Sequence, residues 1–106
     1  MGIAATIRLA GSDISFPVAG NSEVQTFWRP IIGANDLQFL DYIVTAGLNI
    51  DRENRDGVLR EMLLLRSKIG EILAYENDVV NPLFRCDRLI DALRSFSDDV
   101  SEMYIR

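Results

Sequence analysis

Near its start the chain changes hydrophobic period once, and that change decides what it can fold into. Ile3, Ala5, Ile7 and Leu9 alternate with Ala4, Thr6 and Arg8, and after Ala10-Gly11-Ser12-Asp13 the alternation resumes with Ile14, Phe16 and Val18. A period of two lines up apolar side chains on one face of an extended strand. Two such runs around a glycine-bearing turn predict a β-hairpin over residues 3 to 18. Pro17 has no backbone N–H to give to a ladder, so the second strand is expected at an edge and the first nearer the centre of its sheet.

From residue 22 the spacing lengthens to threes and fours, the period of an amphipathic helix. Ser22 with Gln25 has capping-box spacing, in which each side chain satisfies the other residue's backbone amide. Val24, Phe27, Trp28, Ile31 and Ile32 then form an apolar stripe, and Trp28 is expected in the core. Pro30 interrupts that stripe and is expected to kink or end the helix. Asn35 with Gln38 repeats the capping spacing before Leu37 to Val44, a run apolar on most sides that predicts a short buried helix ending at Gly47.

The longest helix is expected from a cap at Asp51 or Asn54 to about Asn77. Its stripe comprises Val58, Met62, Leu65, Ile69 and Ile72, widened by Leu59, Leu63 and Leu73. Gly70 beside the stripe predicts close approach of a neighbouring helix, compensating a propensity cost of about 1 kcal/mol. Asn81-Pro82 opens the last helix, with Leu83, Cys86, Leu89, Ile90, Leu93 and Phe96 inward. Ser97-Asp98-Asp99 breaks it, and the β-branched and aromatic residues from Val100 to Ile105 predict a third strand. That strand can pair with the free edge of the first. The expected result is one α+β domain, in which the N-terminal hairpin and C-terminal strand form a small sheet packed against about four helices.

At 106 residues, 48% of them hydrophobic and 25% charged, the chain suits a single folded domain. Sixteen acidic residues against eleven basic ones leave a net charge of −5, which favours basic protein partners over nucleic acid or anionic lipid. Arg52, Arg55, Arg60, Arg66, Arg85, Arg88 and Arg94 are interleaved with acids, a pattern that suits ion pairing and offers no positive track. No apolar run is long enough for a membrane span. The one cysteine, Cys86, has no internal disulfide partner, and the expected location is a reducing cytoplasm.

The chain contains no histidine. The commonest general base, nucleophile activator and metal ligand is therefore missing. No P-loop, dinucleotide-binding or calcium-loop pattern is present. The pairs Asp87 with Asp91 and Asp98 with Asp99 are carboxylates of the kind that serve acid–base or magnesium chemistry, but adjacent aspartates are also common on solvated turns. The expectation is a protein without enzymatic activity, cofactor or metal.

Residues that violate the apolar stripes suggest two surfaces. Phe84 projects from the polar face of the last helix beside Asp87, Arg88 and Asp91, an aromatic among charges, and the following turn and strand add Asp98, Asp99 and Glu102. On the long helix Leu64, Lys68, Glu71 and Tyr75 make a narrow second stripe, suited to contact with another subunit. Arg66 is the reverse anomaly, a cation projecting into the stripe shared by Leu59, Met62, Leu63 and Ile69, which must snorkel outward along its aliphatic stem or form a buried ion pair.

In size, acidity and absence of catalytic groups the chain resembles the small acidic immunity proteins encoded beside bacterial toxins. That resemblance implies an inhibitor that covers a basic toxin or nuclease. It is a likeness of general character and assigns no residues. The alternative is an oligomerisation or adaptor module, a homodimer included, that uses the Leu64 and Tyr75 stripe. A small enzyme or carrier built on carboxylates and Trp28 is the third reading.

Overall fold

The structure, a computed structural model, describes residues 2–9, 12–73, 81–95 and 100–106. Among them are four strands, β1 Ile3–Leu9, β2 Ser12–Ala19, β3 Leu48–Ile50 and β4 Val100–Ile105, in the order β2-β1-β4-β3 with every neighbouring pair antiparallel. The hairpin stands where its alternation predicts, and the C-terminal strand where its β-branched and aromatic residues predict. β3 is an addition to the expected three strands. It pairs Leu48 with Ile105 and Ile50 with Met103, and three residues are too few for a period of two to be visible in sequence.

β2 is an edge strand, as Pro17 requires. The register shifts between Ile3, opposite Ala19, and Ala4, opposite Pro17, so Val18 is the extra residue of a bulge beside the proline. Ile3, Ala5, Phe16, Val18, Ile50, Met103 and Ile105 are buried beneath the helices. The other face is polar and open, with the Thr6 and Ser15 hydroxyls 3.0 Å apart and Arg8 Nε donating to Asp13 Oδ1 at 3.3 Å.

Among the described residues, four helical segments cover the inner face. The first, α1, spans residues 21–35 and contains an α-helical turn Asn21–Glu23, a π-helical stretch Val24–Trp28 and an α-helical stretch Arg29–Asn35. Its N-cap is Gly20 with no side-chain cap, so Ser22 does not serve as one. Pro30 does not end the helix either. The Arg29 amide donates to the Val24 carbonyl five residues back, and the wider turn absorbs the hydrogen bond that proline cannot make. Trp28 is 1% exposed, at the centre of the core.

The segment α2, Gln38–Thr45, is capped differently from the expectation. Asn35 turns back, its Nδ2 donating to the Ile31 carbonyl at 2.9 Å, and Asp36 adopts a left-handed conformation with φ 54° that reverses the chain. The acceptor for the amides of Phe39 and Leu40 is the carboxylate of Glu61, at 3.2 and 3.1 Å. Only one side of α2 is buried, through Leu40 and Ile43, while Tyr42 is 62% exposed. The expected buried helix is a surface helix.

The segment α3, Arg55–Leu73, starts at an Asp51–Asn54 network. Asp51 Oδ1 accepts the amides of Glu53 and Asn54, both at 2.8 Å, and Asn54 Oδ1 accepts the Asp51 amide at 2.9 Å. Both expected cap candidates therefore contribute. Val58, Met62, Leu65 and Ile69 are fully buried, each worth about 1.5–3 kcal/mol relative to exposure. Ile72 departs from the expected stripe because the core ends one turn before it, leaving it 43% exposed. The close helix approach also falls elsewhere. A Cβ on Gly70 would meet nothing nearer than 3.9 Å, whereas one on Gly57 would collide with the ring of Phe39. The expected end near Asn77 lies outside the described residues.

The segment α4, Asn81–Arg94, buries Cys86, Leu89, Ile90 and Leu93 against α3 and β2.

Candidate functional site

Side chains of α1, β2 and α3 hold α4 on the domain, and they determine what its outer face presents. Arg55 of α3 ties down its C-terminal end, donating from Nε to the Leu93 carbonyl at 2.8 Å and from Nη2 to the Arg94 carbonyl at 3.3 Å. Arg66 of α3 donates from Nε to Asp87 Oδ1 at 2.7 Å and from Nη2 to Asp87 Oδ2 at 3.5 Å. This fork resolves the Arg66 anomaly as an ion pair with both side chains roughly half-exposed, 42% and 48%. The arginine is neither buried nor free. The hydrogen bond and charge of Asp87 raise the Arg66 pKa above its already high ordinary value.

Arg88 lies over the Phe16 ring at 4.5 Å from its centroid, joining α4 to the edge strand β2. Arg85 Nη1 donates to Glu23 Oε1 at 2.6 Å, joining α4 to α1. The anchors therefore come from three elements. Two of the predicted partner-binding residues, Asp87 and Arg88, are thus already engaged within the domain. Their charges are partly compensated locally, and they hold the helix that carries Phe84.

Phe84 is 62% exposed, although every other apolar residue of α4 with a described side chain is at least partly buried. Asp91, two turns along the helix, is exposed. The structure brings Phe84, Asp87, Arg88 and Asp91 to one side of α4. Asp98 and Asp99 lie outside the described residues. Glu102 belongs to β4, where its backbone stands opposite that of Arg8 of β1.

In the second predicted stripe Leu64 is 37% exposed, and Lys68 Nζ stands 3.9 Å from Glu71 Oε2. Tyr75 lies outside the described residues.

Two further surface features are not legible in the sequence. Tyr42, with Asp36, Leu37, Gln38 and Asp41, lines an open depression of about 370 Å³ where α1 meets α2. The exposed side of α2 is obscured in the sequence by the density of apolar residues around it. On the uncovered face of the sheet Thr6, Arg8, Asn49 and Tyr104 line another depression, of about 380 Å³, which could not be found without β3 in place.

Cys86 is buried, and its thiol is pushed up to about 12, chiefly by loss of solvation and then by the charges of Asp87 and Glu23. A thiol held protonated in this way is a poor nucleophile. Among the described residues no three His, Cys, Asp or Glu side chains are grouped to hold a metal ion, and no helix is long and apolar enough to cross a membrane.

No protein-family model matches the chain, and neither a curated protein nor a solved structure matches it.

Proposed function

We propose that the protein is a small acidic binding module without enzymatic activity that inhibits a basic protein partner, in the manner of a cytoplasmic immunity protein acting on a toxin or nuclease. The observation that carries this reading is the exposed ring of Phe84 on a helix anchored to three other elements. An aromatic on a preorganised element loses little conformational entropy when it enters a pocket, and such residues dominate binding energies. Asp91 and the net charge of −5 supply the field that draws in a basic surface.

Asp87 serves this surface in two ways. One is its residual negative charge, and the other is its fork with Arg66, which limits rotation of α4 about its axis. Arg88 acts similarly through Phe16.

Co-purification from the source cell followed by hydrogen-exchange footprinting of the complex tests the reading. Protection concentrated on residues 83–95 is expected. Protection confined to the Tyr42 depression or the open sheet face would overturn the assignment of the surface.

A further inference from the structure

On α3, Leu64, Lys68, Glu71 and Ile72 share one side of the helix. The helix meets α4 along a different line, through Arg66 with Asp87 and Gly70 beside Leu83. Leu64 and Ile72 are 37% and 43% exposed, while Leu65 and Ile69 between them are fully buried. The stripe thus has an apolar residue near each end with one cation and one anion between.

We infer that this stripe pairs α3 with α3 of a second copy of the chain, antiparallel about a two-fold axis near residues 68–71, in a weak homodimer. In a two-fold interface each residue pair occurs twice, because residue i meets residue j and j meets i. Turned end for end about a point near residue 69, the stripe brings Lys68 within half a helical turn of Glu71 of the other copy and Leu64 within half a turn of its Ile72. The pattern is complementary to itself.

A strongly basic partner would gain nothing here, because Lys68 and Glu71 cancel. Their own contact, at 3.9 Å with 40% and 68% of the side chains exposed, is loose enough for both to pair across the axis instead. The contact occupies little more than two turns of helix, at or below the small end of specific interfaces, so the dimer is weak. It leaves the outer face of α4 uncovered, and its failure would not touch the reading of Phe84.

Sedimentation equilibrium of the full chain from about 10 μM to 1 mM tests the inference, a range that spans weak dimers. The parent protein should show reversible dimers. Lys68→Glu and Glu71→Lys should each weaken dimerisation at least about tenfold, because like charges then face each other across the axis.

An equimolar mixture of the two variants should recover dimers about as stable as those of the parent, since one chain then carries acids at both positions and the other carries bases at both. No effect within one helix can produce that recovery. Both positions are solvent-facing, and far-UV circular dichroism checks that the variants fold. Leu64→Asn, which leaves both charges in place, should also weaken the dimer. A parent protein that stays monomeric throughout the range, or a variant mixture that does, overturns the inference.

Discussion

The carboxylate of Glu61 on α3 accepts the backbone amide of Leu40 at 3.1 Å and the neighbouring amide of Phe39 at 3.2 Å, so an acid 21 residues away caps α2. The amides at a helix start have no partner within the helix, and a carboxylate satisfies them while meeting the positive end of the helix dipole. Glu61→Ala should lower the unfolding free energy by about 1–2 kcal/mol, the usual cost of losing a cap. Denaturant melts check the size, and hydrogen exchange should locate the loss at Phe39 and Leu40.

The Arg66–Asp87 fork is half-exposed, so its contribution to stability is modest. A double-mutant cycle with Arg66→Met and Asp87→Asn should give a coupling below about 1 kcal/mol, within the usual range for solvent-accessible pairs. A coupling of several kcal/mol would mean that the pair is far better shielded in solution than its 42% and 48% exposure implies.

Much of the arrangement is legible in the residues alone. Ile3 to Val18 carry the hairpin through their alternation, Pro17 assigns β2 to the edge, and the stripe from Cys86 to Leu93 leaves Phe84 outside. What escapes is set by contacts between segments. Leu48–Ile50 becomes a strand only because β4 offers a free edge, and Ser22 and Asn35 lose their capping roles to Gly20 and Glu61. Pro30 is accommodated by a π-helical turn that no local pattern announces. Arg66 is recognisable as anomalous, but Asp87 as its partner depends on how α3 and α4 pack. For the same reason the residue pattern overstates the charge of the acidic surface.

Cys86 makes the protein sensitive to alkali in a defined direction. Its thiol is pushed up to about 12 in the folded state, while in the unfolded chain it ionises near the ordinary thiol value of about 8.5. Between those values the native state keeps a proton that the unfolded chain has released. This contribution to stability is therefore complete below the unfolded value and declines by about 1.4 kcal/mol per pH unit above it. Cys86→Ala should flatten the fall in unfolding free energy between about pH 9 and pH 11 relative to the parent, at some cost in packing. At a pH of about 8 a disulfide reagent should react with the native thiol only through opening of the fold.

The most direct test of the account is the affinity of Phe84→Ala for the partner recovered by co-purification, measured by calorimetry on a variant whose melting curve shows that it is folded. The predicted result is a loss of about 2 kcal/mol or more, roughly 30-fold in Kd. Asp91→Asn, measured alongside, should mainly slow association and reduce its salt dependence. A folded Phe84→Ala protein that binds with the affinity of the parent would contradict the account, because the exposed ring on α4 would then contribute nothing to recognition.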